Sequence, residues 1–193
     1  MLSHKKSLNI LRKTNALLDG HFVLSSGLHS SKYIQCAKLL SFPNLAKKIC
    51  FSLSTKIKNK FKNIDLILSP AIGGIVIGYE IGRILKKETI FSERMNNNFV
   101  LRRGFHIKKN MKVLIVEDVI TTGKSSLECS KLVKESKATV IGYACIIDRS
   151  DENSKISEKI VSQLKLKIPT YEEKDLPEHL SSIKAIKPGS RGI

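Results

Sequence analysis

KVLIVEDVITTGKS, residues 112–125, begins as an aliphatic run and ends in a polar turn. Val113 to Val116 show no polar alternation, the pattern of a strand covered on both faces, as in a parallel sheet. Glu117 and Asp118 follow at its carboxyl end. Val119, Ile120, Thr121, Thr122, Gly123, Lys124 and Ser125 then lead into a helix-like run that reaches Ser136. TVIGYACIID, residues 139–148, supplies the next strand and completes a βαβ unit.

The same alternation extends upstream. Leu45, Ile49, Leu53, Ile57 and Phe61 recur at four-residue steps after Pro43, which predicts a helix with one buried face and lysines on the other. IDLIL, 64–68, reads as a strand, SPAIGG as a turn, and Ile75 to Leu85 as a helix. A short strand follows near TIFSE, then a polar hairpin or loop from Met95 to Asn98, with FVLRRG as its second arm. Strands and helices thus alternate from about residue 43 to 148. The expected class is α/β, a central mostly parallel sheet flanked by helices, with extra segments at both ends. At 193 residues the chain suits one domain, divided as an amino-terminal segment (1–40), a core (43–150) and a carboxyl-terminal extension (151–193).

Lys and Arg number 34 against 17 Asp and Glu, a formal net charge of +17. The lysines are spread along the chain, with no basic tail and no interleaved aromatics, so nucleic acid is not an expected partner. Glu80 and Arg83 interrupt the most apolar stretch, GGIVIGYEIGRIL, so no membrane span is expected. The first twenty residues lack an unbroken apolar core, which points away from a secretory leader and toward the cytoplasm. Cysteines 36, 50, 129 and 145 match neither a redox pair nor zinc spacing and read as buried small hydrophobes.

Ligands of an open parallel sheet bind beyond the carboxyl ends of its strands. The turn after Asp118 places amides and hydroxyls at a helix N-terminus, where phosphate is favoured. The helix dipole contributes only about 0.3–1 kcal/mol, so convergent donors worth roughly 1.5–3 kcal/mol each must do the rest. A P-loop is excluded, because its first Gly would fall at 118, where Asp stands. Adjacent carboxylates repel phosphate unless they face hydroxyls or a cation, so the pattern suits a sugar phosphate. The competing reading has the acids merely cap the helix.

VLIVEDVITTGKS resembles the phosphoribosyl diphosphate (PRPP) signature of type I phosphoribosyltransferases. The resemblance implies that family's fold with a small N-terminal hood. It also implies that Glu117 and Asp118 hold the ribose 2′ and 3′ hydroxyls while the turn 119–125 cradles the 5-phosphate. The signature alone leaves the base open among orotate, purines and uracil. LLDGHFVLSSGLHSSKYIQ (17–35) resembles the hood of orotate phosphoribosyltransferases, and LSPAIGGIVIGYE their pyrophosphate loop. Through ERMNNNFVLRRGF, IPTY and the terminal KPGSR the resemblance covers nearly the whole chain, and is strongest to the short, Thermus-type orotate branch.

Orotate carries a carboxylate, which the planar fork of Arg suits, and Arg149 is the candidate. Its alternative is a surface ion pair with Asp148 or Asp151. Thr121 is implied to touch the base as well as the sugar phosphate. Two departures stand out: Ser25 where many relatives carry Lys, and Ile72–Gly73 where they carry Tyr–Lys. Arg94, Arg102 and Arg103 are therefore the candidates for pyrophosphate, acting in their own or a neighbouring subunit. The alternative is solvated charge on a strand edge. His106 is read as a solvated surface residue. The implied reaction transfers ribose 5-phosphate to N1 of orotate, giving orotidine 5′-phosphate and pyrophosphate in pyrimidine biosynthesis. The implied cofactor is Mg²⁺, held mainly through PRPP with no direct protein ligand assigned, and the implied assembly is a homodimer. The Asn-rich loop is expected to close over the site. The rivals are a purine or uracil phosphoribosyltransferase and a PRPP-sensing regulator that binds nucleic acid.

Overall fold

A computed structural model describes residues 1–24, 26–150 and 154–188. In chain order its elements are α1 (His4–Lys13), β1 (Leu17–Val23), β2 (His29–Ile34), α2 (Cys36–Leu40) and α3 (Pro43–Lys60). They continue with β3 (Leu66–Pro70), α4 (Gly73–Leu85), β4 (Glu88–Met95), β5 (Asn98–Leu101), β6 (Lys112–Ile120) and α5 (Lys124–Glu135). The last are β7 (Thr139–Asp148), β8 (Ile160–Lys165), β9 (Thr170–Tyr171) and α6 (Glu178–Ser181).

The main sheet has the order β5-β4-β3-β6-β7-β8. Every pairing in it is parallel except the β4–β5 hairpin at one edge. Asn96 and Asn97 form the two-residue turn of that hairpin, both at positive φ, which asparagine tolerates. A smaller, separate antiparallel sheet has the order β1-β2-β9. Its strands come from both ends of the chain, and Ile186 bridges to Phe22 beside it.

Period-two alternation along β6 divides the core. Leu114 and Val116 face a cluster with Ile49, Leu53, Ile57, Ile77 and Ile81 from α3 and α4. Val113 and Ile115 face Cys129 and Val133 of α5 with Tyr143 and Cys145 of β7. The sheet is therefore covered on both faces, as its unbroken aliphatic sequence requires. All four cysteines are buried and free.

Several boundaries differ from those the sequence predicts, two of them beside the site. β3 runs on to Pro70, where the missing N–H of proline is harmless at a strand's last position. α4 starts at Gly73 rather than Ile75. Its glycines pack rather than turn: a Cβ at Gly78 or Gly82 would overlap Ser69 of β3 or Thr89 of β4. β8 lengthens the sheet past residue 150, a strand the sequence pattern does not announce.

Candidate active site

The alternation that builds the core also sends the two acids apart. Glu117 continues the Val113–Ile115 face toward α5, where its Oε2 accepts a hydrogen bond of 2.5 Å from the Ser126 hydroxyl. Asp118 continues the Leu114–Val116 face toward α4 and α2. A Cβ on Gly73 would stand 2.9 Å from its Oδ1. Its Oδ1 also accepts from the Val119 amide at 2.9 Å, and its carbonyl lies 3.9 Å from Cys36 Sγ. Neither acid lies in bulk solvent: both are half-buried. Burial raises the Glu117 carboxyl to about 7, opposed by the Ser126 hydrogen bond and assisted by the Asp118 charge. Burial likewise raises Asp118, opposed by the Val119 amide.

Beyond β6 the chain turns through Thr121 and Thr122, both exposed, to Gly123 at φ +76°. Only a residue without a side chain suits that position, for the left-handed backbone and because a Cβ there would lie 2.6 Å from Ile156 Cδ1. Lys124 and Ser125 open α5, whose N-terminus has neither a side-chain cap nor an acidic residue in its first turn. The Lys124 amide donates to Thr122 Oγ1 at a long 3.4 Å, and an external anion is the favoured acceptor for the amides of this first turn. The capping alternative for the acids is thereby disfavoured, since no carboxylate caps α5.

Arg149 follows β7, and its amide donates to the Ile120 carbonyl at 2.8 Å, which ties the residue to the base of the same turn. Its Nε is buried with no hydrogen-bond partner among the described residues, and burial lowers its pKa. The alternative ion pair with Asp148 does not form. That carboxylate accepts from the Ser150 amide and hydroxyl and lies 3.7 Å from Lys165 Nζ. Asp151, like Ser25 and the terminal Gly189–Arg191 of KPGSR, lies outside the described residues.

The three remaining candidate cations sit on the β4–β5 hairpin and the segment after it, and each has an acidic partner. Arg94 meets Glu128 of α5 at 2.5 Å and stacks over Phe99. Arg103 meets Glu93 at 2.8 Å, with Arg102 3.9 Å from the same carboxylate. All three side chains remain substantially exposed. Ile72, in the turn before α4, is 86% exposed. His106 is exposed as well.

Sequence reasoning did not single out Ser126 or Ile156. Ser126 looks like an ordinary helix residue until α5 is packed on β6, and Ile156 lies in an irregular stretch.

A strand–turn–helix with paired acids, a helix N-terminus without a side-chain cap and a half-buried arginine thus gather at one end of the parallel sheet. Residues 36–181 match the family model described as phosphoribosyl transferase domain, and the chain belongs to that family. An orotate phosphoribosyltransferase of Parvibaculum lavamentivorans is 44% identical over 193 residues, the whole of both chains. One from Caldicellulosiruptor bescii is 45% identical over 184 residues, 95% of this chain and 96% of the relative. In fold, the crystal structure of orotate phosphoribosyltransferase from Aeropyrum pernix matches with a TM-score of 0.71 at 24% identity, covering 82% of this chain and 93% of that one. Among the described residues no helix is long and apolar enough to cross a membrane.

Proposed function

We propose that this chain is an orotate phosphoribosyltransferase, transferring the 5-phosphoribosyl group of PRPP to N1 of orotate in the synthesis of UMP. The observation that carries the reading is half-buried Arg149, whose Nε is buried with no hydrogen-bond partner among the described residues and whose amide donates to Ile120 at the base of the phosphate turn. A buried cation with an unpartnered donor costs free energy until an anion meets it, and the orotate carboxylate is such an anion. The full-length identity to proteins named for this activity supports the same choice.

Asp118 and Glu117 then accept hydrogen bonds from the ribose hydroxyls, and the amides and hydroxyls of residues 119–125 take the 5-phosphate. In the reaction the N1–C1 bond forms as the bond from C1 to the pyrophosphate oxygen breaks; the departing oxygen keeps the electron pair, and the proton that N1 carried is released to water or to pyrophosphate. C1 is cation-like between the two, so the protein's work is alignment, worth up to roughly 7–11 kcal/mol, and charge stabilisation. Thr121, exposed in that turn, is assigned to both base and sugar phosphate. Arg94, Arg102 and Arg103 are the cations offered to pyrophosphate, at the cost of their present acidic partners, and the Asn96–Asn97 turn carries them over the site.

Among the described residues no three Asp, Glu, His or Cys side chains converge on one point. The implied Mg²⁺ would be carried in by the phosphates of PRPP, since this ion keeps most of its waters and favours phosphate oxygens. Its chemistry there would be to neutralise charge on the leaving pyrophosphate. The proposal includes a homodimer. A groove lined by Leu40, Pro43, Lys47, Val76, Tyr79 and Arg83, with Val76 and Tyr79 exposed, offers apolar surface for a second copy. Four free thiols support a reducing, cytoplasmic setting.

The test is the loss of orotate ultraviolet absorbance on mixing protein, PRPP and Mg²⁺, run beside uracil, adenine and hypoxanthine. Orotate alone should be consumed. Consumption of another base in its place, or duplex binding without base-dependent PRPP turnover, would overturn the reading.

A further inference from the structure

Glu117 is a half-buried carboxylate whose position in the fold leaves it one polar side-chain contact. The hydroxyl of Ser126, a residue with no exposed surface, lies 2.5 Å from its Oε2. Ser126 is the third residue of α5, so the contact joins the strand that ends in the acids to the helix that opens with the phosphate turn. The titratable groups facing Glu117 are Asp118 on its own strand, Cys129 on α5 and Cys145 on β7. None of these is a cation. The hydrogen bond from Ser126 is therefore what favours the ionised, accepting form of this acid against its burial.

We propose that Ser126 is a positioning residue, whose buried hydroxyl occupies one oxygen of Glu117 and leaves the other aimed at the ribose of the donor substrate. The inference rests on the phosphoribosyl-transfer reading of the site. A carboxylate with free rotation about its terminal torsion must be ordered when substrate arrives. One pinned in advance by an N3 hydroxyl on a rigid helix is ordered already, and substrate binding gains by that much. The same contact couples the acid to the phosphate turn, because both hang on the first turn of α5.

Two substitutions test it: Ser126→Ala, which deletes the hydroxyl, and Ser126→Cys, which keeps the volume with a weak donor. Carboxyl ¹³C NMR, with the Glu117 signal assigned by its loss in Glu117→Gln, reads the titration of Glu117 in the free protein. Both variants should move it to higher pH, since the bond they remove favours the charged form. The acid limb of kcat/KM for PRPP should move the same way, with KM for PRPP raised about tenfold, the equivalent of one net hydrogen bond to a charged group. KM for orotate and kcat above the limb should change little. A serine that only packs α5 would lower folded yield or activity at every pH and leave the limb in place. An unmoved Glu117 titration overturns the inference whether or not the enzyme turns over orotate. A moved titration with an unmoved PRPP profile in an active enzyme overturns it too. A wild-type protein that consumes no orotate overturns the functional reading instead, while the NMR titration still decides whether Ser126 holds Glu117.

Discussion

Gly73 and Asp118 occupy adjoining volumes: a Cβ on the glycine would come within 2.9 Å of Oδ1 and 3.0 Å of Oδ2 of the acid. The first residue of α4 thus fixes where the carboxylate at the end of β6 can lie. Gly73→Ala should displace that carboxylate rather than the fold, because the residue is exposed and the obstructing atoms are a side-chain end. kcat/KM for PRPP should fall at least about tenfold, or roughly 1.4 kcal/mol. The melting temperature should move by no more than a few degrees, and steady-state kinetics beside a thermal scan checks both.

Glu117 gives a pH dependence of stability whose sign follows from its burial. Its pKa rises from 4.5 to about 7 on folding, so the folded state holds a proton that the unfolded chain releases between those values. The contribution is fully present below pH 4.5 and lost as pH rises to about 7, at up to about 1.4 kcal/mol per pH unit. Urea midpoints of wild type and Glu117→Gln, compared across this range, should diverge in favour of the glutamine variant and run parallel above it. Turnover of that variant should drop throughout. A site that holds a charge for its ligand at the expense of the fold predicts this opposition.

Arg149 carries the same opposition with the other sign of charge. It is half-buried, and its Nε has no hydrogen-bond partner among the described residues, so Arg149→Ala should leave stability unchanged or raised. With orotate, kcat/KM should fall by about 2–3 kcal/mol, on the order of a hundredfold, because a buried carboxylate would be left unpaired. Arg149→Lys should recover little, since an ammonium lacks the two-pronged geometry. Equal losses for orotate and PRPP would place the side chain on the sugar phosphate instead.

The aliphatic run 113–116 identified the central strand because a strand buried on both faces has no polar alternation to hide it. The same alternation, applied two residues further, is what parts Glu117 from Asp118. The turn 121–125 was equally legible, since Gly and hydroxyl residues between a strand and a helix have few other uses. β9 was not. Two residues, Thr170 and Tyr171, carry no periodicity, and they become a strand only because His29 and Ser30 lie beside them. The packing role of Gly78 and Gly82 was illegible in a different way. In sequence they weaken a helix, and their value shows only when Ser69 and Thr89 come up against it. The partners of Arg94, Arg102 and Arg103 were illegible for the same reason. Arg94 pairs with Glu128 across 34 residues of sequence, a distance that no local pattern spans.

That Arg94–Glu128 pair separates two roles for the hairpin. If Arg94 is recruited by pyrophosphate, Glu128 competes with the ligand for it. Glu128→Gln should then lower KM for pyrophosphate in the reverse reaction from orotidine 5′-phosphate, and Arg94→Ala should raise it. If the pair serves only to pin the hairpin to α5, either substitution breaks the same contact and the two variants should shift KM in the same direction. The pair is partly exposed, so its own worth is no more than about 1 kcal/mol and a change of roughly threefold to fivefold is the scale to look for. Salt weakens exposed pairs, and raising ionic strength should shrink the difference between wild type and Glu128→Gln. Opposite signs at low salt that converge at high salt would assign Arg94 to the leaving group, and matching signs would return it to the strand edge.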